Sequence, residues 1–592
     1  MNPKENIFYQ AIAPSVYYSL MDKLTSDPNS TNHETDTAPR QVTSGHYVLV
    51  SPTPLPEPQY VAHSSTLFKE FDLAENLATT KEFLEFFSGD IKQGLNYTSS
   101  GEFRTTGWAS GYALSIMGQE LYSQCPFGNG NGYGDGRAIS ILELKLPELS
   151  KPTSFFGTRG SHRPKRWEFQ LKGGGRTPYC RGGDGRAVLR SSVREFIVSE
   201  AMACLGVPTT RALSLIVSKN LTIDRPWYSE GSRSEEPDMM VENPAAITTR
   251  VSSSFLRVGQ IELFGRRARK DEHQNAMKEL SDIVKFVIEN EYPEIQTGNE
   301  FKKEVLMLVE AFGKRLAKMV GHWIRVGYCQ GNFNSDNCAV GGFTLDYGPF
   351  GFMEEFDPNY QPWTGGGVHY SFLQQPNAAI QNFKMFCVAV SPLLTYEEDK
   401  ASLQSLLQNF PNVITSSIND ALSSKMGLNK FNPTLFESLI INLKSTPDIG
   451  VDWTIFWREL SKMPRDGSAL TNAFYSNSSN TSEQATLEWT KWLNNWHTVL
   501  ANENIDSPNS YLDSISDRMK RVNPKYVPRE WMLVKAYKDA ENNDYTEIHA
   551  LQELFNNNPY SEQSPEIENR YYKKVDPSLK NLGGYSKMSC SS

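Results

Sequence analysis

Two stretches of this sequence gather residue types that can do phosphate chemistry. In QLKGGGRTPYCRGGDGRAVLRSSVREF (Gln170 to Phe196), six of the thirteen residues after Lys172 are glycines, and Glu195 follows in a segment of helical pattern. A strand lysine held by a helix carboxylate is a way to fix an ammonium against a nucleotide phosphate. So many glycines cost conformational entropy, which a ligand approaching the backbone closely explains better than a plain turn does. Lys172, Arg176, Arg181, Arg186, Arg190 and Arg194 make this neighbourhood positive within a chain of net charge -9, as a polyphosphate site requires. A solvated basic face is the competing explanation.

The second stretch is GNFNSDNCAVGGFTLDYGPFGF (Gly331 to Phe352). Asp336 and Asn337 are followed, nine residues after Asn337, by Asp346 in the triplet Asp346-Tyr347-Gly348, a metal-holding Asp-aromatic-Gly pattern. Magnesium takes one or two protein oxygens and completes its octahedron with phosphate and water, so Asn337 and Asp346 suit it and Asp336 is left as a base. The pentapeptide GDGRA occurs at Gly134 to Ala138 and again at Gly183 to Ala187. It is either a repeated glycine turn or a pair of loops whose N–H groups and arginine meet phosphate.

These residues need elements to hold them. HYVLVSP from His46, RAISILEL (Arg137 to Leu144), WEFQLK (Trp167 to Lys172) and TTRALSLIVS (Thr209 to Ser218) read as strands. AVLRSSVREFIVSEAMACLG reads as a helix that stops at Gly206 and Pro208. From about Phe264 the pattern becomes helical. Val305, Leu308, Val309, Phe312, Leu316, Met319, Val320 and Trp323 recur at spacings of three and four, the stripe of an amphipathic helix against a core. Ile223 to Ala246 and Tyr475 to Gln484 read as a surface insertion and a solvated loop, and Met1 to about Arg40 as an irregular leader. The sequence therefore predicts an α+β chain, mixed in its first half and mainly helical in its second.

Composition narrows the classes further. Of the 592 residues, 39% are hydrophobic and 21% charged, within globular norms, and the mild acidity argues against nucleic acid or anionic lipid as a partner. Seven cysteines without a CxxC pair give no zinc ribbon or disulfide framework, and no apolar run reaches the roughly 18 residues of a membrane span. Acidic residues in the leader fit a transit peptide poorly.

The strings FGTRGSHRPKRWEFQLKGGGRTPYCRGGDGRAVLRSSVREF and TLDYGPFGFMEEFDP resemble the selenoprotein O family of kinase-fold protein adenylyltransferases. The likeness is dense from about Gly134 to Pro358. The closing SCSS also resembles the family's tail, with Cys590 at or near the place where some members carry selenocysteine.

The resemblance implies a bilobal protein-kinase-like fold: leader 1–45, β-containing N-lobe 46–263, helical C-lobe 264–520 and helical C-terminal extension 521–592. It implies transfer of AMP from ATP to a protein hydroxyl, with magnesium or manganese as cofactor and proteins bearing Ser, Thr or Tyr as partners. Carried over by position, Gly134, Gly136 and Arg137 form a first phosphate-facing loop, and Lys172 contacts phosphate while paired to Glu195. Asp184 and Gly185 contact the nucleotide, as do Arg250 and Arg257 in TTRVSSSFLRVG. Asp336 is the proton acceptor, and Asn337 and Asp346 bind the metal. Eukaryotic relatives are often mitochondrial and bacterial ones cytoplasmic.

The chain also departs from the family. It lacks a YAGHQFG-like string before the first loop, carries Gln330 where the family usually has His, and has no cysteine in NYQPWTGGG after Asp357. Transfer of UMP, γ-phosphoryl transfer and a catalytically silent nucleotide-binding scaffold are the alternatives. The joint presence of Lys172, Glu195, Asp336, Asn337 and Asp346 favours an enzyme over the scaffold.

Overall fold

A large antiparallel sheet organises the first half. Its main path uses β1 (Val48–Val50), β2 (Pro58–His63), β3 (Gly107–Ala109), β4 (Ala138–Lys145), β5 (Arg166–Lys172), β6 (Arg211–Trp227) and β7 (Met239–Ser252), in the order β1-β3-β4-β5-β7-β6-β2. Short strands Val16–Tyr17 and Ala187–Val188 pair with β4 and β7. The structure is a computed structural model and describes residues 7–30, 37–92, 103–111, 115–116, 119–120, 136–145, 166–180, 183–296, 298, 300–445, 450–475, 479–504 and 511–589. Gly134, Arg181 and Cys590 lie outside the described residues.

β5 is buried along its whole length although Arg166, Glu168 and Lys172 carry charge. Burial of such groups requires partners. Arg166 meets Glu143 at 2.7 Å and Glu168 at 3.0 Å, and Ser140 Oγ donates to Glu168 at 2.6 Å. β5 thus sits centrally in the sheet and delivers Lys172 at its end.

Helix α1 (Leu189–Cys204) packs on β6 and β7. Then follow α2 (Val258–Lys270), α3 (Ala276–Glu291), α4 (Phe301–Val326), α5 (Gln375–Val390) and α6 (Glu397–Lys425). The apolar stripe read from the sequence is buried along α4, which packs on α5 and α6. Beyond them come α7 (Trp453–Leu460), α8 (Ser479–Glu503), α9 (Glu530–Glu541) and α10 (Thr546–Asn556). A second core gathers Trp453, Phe456, Trp457, Trp489 and Trp496, while α9 and α10 return to pack on α1.

Three local expectations are corrected. Ile223 to Ala246 is no irregular insertion but the outer part of a long hairpin, registered from Arg211 opposite Val251 to Trp227 opposite Met239. Of the expected loop Tyr475 to Gln484, Ser479 onward is the start of α8. The leader carries helices Ile7–Ile12 and Ser19–Lys23, with Phe8, Tyr9 and Ile12 buried in the main core. Among the described residues, no helix is long and apolar enough to cross a membrane.

Candidate active site

Lys172 lies opposite Thr248 of β7 and Ala138 of β4, so the ladder fixes its backbone from both sides. The chain then turns through the glycine run, where Gly173 N donates to Arg137 O at 2.7 Å. Pairing of Ala187–Val188 with β7 leads directly into α1 and brings Glu195 to the lysine. Lys172 Nζ lies 3.0 Å from Glu195 Oε2 and 2.7 Å from Asp346 Oδ1.

Arg250 joins the same cluster from β7. Its Nη1 lies 2.7 Å from Asp346 Oδ1 and 3.4 Å from Glu195 Oε1. Its Nη2 donates to Gln170, the residue opposite it in the ladder. Two cations and two carboxylates therefore share one buried volume. Burial alone would raise the Asp346 carboxyl, but Lys172, Arg250 and then Arg257 hold it well below the usual carboxylate range, so it is an anion at neutral pH.

Asp336 and Asn337 stand on a short 3-10 turn, Ser335–Asn337, capped by Asn334, whose Oδ1 accepts from Asp336 N at 3.0 Å. Asn337 commits its Nδ2 to Asn332 O at 2.9 Å. Arg257, just before α2, donates through Nη1 to Asp336 O at 3.0 Å. Gly331 opens this loop at φ +71°, and a Cβ there would stand 2.2 Å from Pro349 O. Glycine thus lets the Asp336 loop lie against the segment after Asp346. Tyr347 turns into the core beside Tyr328 and Phe350, and its hydroxyl bonds Thr209.

The second GDGRA folds onto the glycine run. Gly185 has φ +70°, and a Cβ there would meet Gly175 O at 2.1 Å. Asp184 Oδ1 accepts from Arg186 N at 2.8 Å and from Arg225 Nη2 at 2.7 Å. Burial raises the Asp184 carboxyl, and the Arg225 hydrogen bond and the Arg186 N–H more than offset this to lower it. Gly136 packs on the other end of the run, its carbonyl accepting from Thr177 Oγ1 at 3.2 Å.

Not every arginine read as part of a phosphate-attracting field faces a ligand. Arg186 donates to the carbonyls of Thr53, at 2.7 Å, and Pro54, at 3.2 Å. Arg190 stacks 3.5 Å over the Trp227 ring and donates to Asn243, and burial pulls its guanidinium down to about 10. Arg194 pairs with Glu530 of α9 at 2.9 Å. All three serve packing. Conversely, sequence reasoning passed over Gln170, which the period of two on β5 places on the same face as Lys172.

Among the described residues no cluster of three or more His, Cys, Asp or Glu is built to hold a metal by itself. Asn337 and Asp346 supply only hard oxygens, a donor set that suits magnesium completed by phosphate and water.

The sequence profile of the family described as "Protein adenylyltransferase SelO" matches residues 29–556. A protein nucleotidyltransferase YdiU of Azoarcus sp. strain BH72 is 33% identical over 584 residues, covering 96% of this chain and 98% of its own. Proteins of the same name from Flavobacterium johnsoniae, 33% identical with 96% and 98% covered, and Xanthomonas campestris strain B100, 34% identical with 92% and 94% covered, are similarly related. The chain belongs to the SelO protein adenylyltransferase family.

Proposed function

Taking that membership as the premise, we propose that the chain is a protein adenylyltransferase that moves AMP from ATP to a Ser, Thr or Tyr hydroxyl of a protein and releases pyrophosphate. The observation that carries the assignment to these residues is the Asp346 carboxylate shared by Lys172 and Arg250, with Glu195 bracing both cations. Such a cluster offers fixed positive charge to a polyphosphate, and phosphoryl-type transfer relies mainly on positioning and charge neutralisation.

The sheet with α1 (46–263) is the N-lobe of a kinase-like fold and the helices of 264–520 its C-lobe, with 521–592 an extension that clasps α1 and 1–45 a leader. ATP lies between the lobes. Gly136, Arg137, Asp184 and Gly185 line the phosphate-facing loops, and Lys172, Arg250 and Arg257 offset phosphate charge.

The acceptor oxygen attacks the α-phosphorus as the bond to the bridging oxygen breaks. Pyrophosphate leaves with that electron pair, and the hydroxyl proton passes to Asp336. Asn337, whose Nδ2 is already committed, offers its amide oxygen to a divalent ion together with Asp346. That ion, magnesium or manganese, supplies charge neutralisation at the phosphates when bound.

The test is to incubate the protein and an acceptor protein with magnesium and ATP labelled at the α- or the γ-phosphate. Label from the α-position with an AMP-sized mass gain is expected. Label from the γ-position alone would mean a kinase, a UMP adduct favoured over AMP in a mixture of nucleotides would mean a uridylyltransferase, and no label despite ATP binding would mean a scaffold.

A further inference from the structure

We propose that Gln330 and Gln375 are positioning residues that lock the segment carrying Asp346 to the loop carrying Asp336. The proposal rests on the catalytic reading of those two aspartates. Gln330 is 3% exposed and Gln375 fully buried, so every polar atom on them requires a partner.

Hydrogen-bond chemistry leaves no freedom in how they are set. The backbone carbonyl of Asp346 can only accept, so the Gln330 amide must turn its NH2 to it, and Nε2 lies 3.1 Å away. Gln330 Oε1 then faces the Tyr328 hydroxyl, which donates. Burial pushes that phenol well up, so it keeps its proton.

The same logic fixes Gln375, at the start of α5. Its Nε2 donates to the carbonyls of Tyr328 at 2.9 Å and Phe372 at 3.2 Å. Its Oε1 accepts from Gln330 N at 2.9 Å.

The two amides therefore tie together the strand before Gly331, the start of α5 and the backbone of Asp346. Lys172 and Arg250 hold the Asp346 side chain while Gln330 holds its backbone carbonyl, so the residue is held at both its side-chain and its backbone end. Removing the amide frees the backbone end and lets the carboxylate follow its cations away from the metal.

The experiment measures binding of an ATP analogue with a methylene bridge between the α- and β-phosphorus to the full chain, once with magnesium and once with EDTA. Gln330→Leu is expected to weaken magnesium-dependent binding about tenfold, the lower end for residues that orient a metal ligand, with the EDTA value within about twofold of the parent. Gln330→His, which keeps one donor and one acceptor, is expected to restore most of the loss. Tyr328→Phe, which removes only the hydroxyl, should lose less than Gln330→Leu.

Equal affinity of Gln330→Leu and parent in magnesium would overturn the proposal, as would equal weakening with and without magnesium. Should thermal unfolding show that Gln330→Leu does not fold, Tyr328→Phe carries the test, and magnesium-dependent binding equal to the parent's would overturn the proposal. Asp346→Ala separates the premises. If it leaves magnesium-dependent binding intact, the catalytic reading fails and this inference with it; if it abolishes that binding while Gln330→Leu binds as tightly as the parent, only this inference fails.

Discussion

Two buried ion networks in this molecule use the same groups to opposite ends. Around Asp346, two cations converge on one carboxylate oxygen, and the carboxyl is held well below its usual range against the raising effect of burial. Around Asp452 the balance is reversed. Arg529 Nη1 and Nη2 grip the two Asp452 oxygens at 2.8 and 2.9 Å, and the same guanidinium also takes Glu354. Asp452 further caps α7 through Ile455 N at 2.9 Å and accepts from the Tyr475 hydroxyl at 3.0 Å.

With two carboxylates on one cation, burial and then the neighbouring Asp452 outweigh Arg529, and the Glu354 carboxyl rises to about 7. Two cations sharing two carboxylates, Asp346 and Glu195, make a charge-balanced cluster in which both cations keep fixed positions. A surplus of anions around one well-satisfied arginine suits a clasp, which here ties the chain just before α9 to α7 and to the segment after Asp346.

Substitutions can break this comparison from either side. The largest effect is expected at Asp336→Asn. Loss of the base should lower transfer about 10²–10⁴-fold while the thermal midpoint stays near the parent's, and retained transfer would remove Asp336 from the chemistry. Next, Arg529→Met should leave Asp452 and Glu354 buried without their cation. It should cost about 3–5 kcal/mol in denaturant unfolding, so an unfolding free energy equal to the parent's would mean the clasp does not hold the fold.

A smaller effect sharpens the contrast in pH. A carboxyl whose folded pKa is about 7 binds its proton more tightly in the folded state, so its stabilisation is full below about pH 4.5 and is lost as pH rises through 7. Glu354→Gln should therefore flatten the fall of the thermal midpoint between about pH 4.5 and 7, and an unchanged slope would place the titration elsewhere. Smallest is Tyr475→Phe, which removes one hydrogen bond to a carboxylate that keeps Arg529. It should cost about 1 kcal/mol, measured by the same unfolding titration.

Much of the Lys172 side of the site was legible because its signals are local. The strand ending at Lys172, the glycine run and the helix bearing Glu195 follow one another in sequence, and the stripe of α4 is periodic. What was hidden depends on distant partners. The hairpin arms of β6 and β7 are exposed where they leave the core, so pairing rather than burial makes them strands. Phe8 and Tyr9 find their core among Phe83, Phe86 and Phe103, some 75 to 95 residues away.

Arg190 and Arg194 resembled a basic field because spacing alone cannot show that one meets Trp227 and the other Glu530. Gln330 was visible as a departure, yet its reach to the Asp346 carbonyl is a tertiary fact.

The most direct measurement compares Lys172→Met with Arg529→Met, reading protein-bound label from α-labelled ATP beside the thermal midpoint of each. The expected result is label lost with the midpoint kept in Lys172→Met, and the midpoint lowered in Arg529→Met. Full labelling by a folded Lys172→Met protein would contradict the assignment of the Asp346 cluster as the catalytic centre.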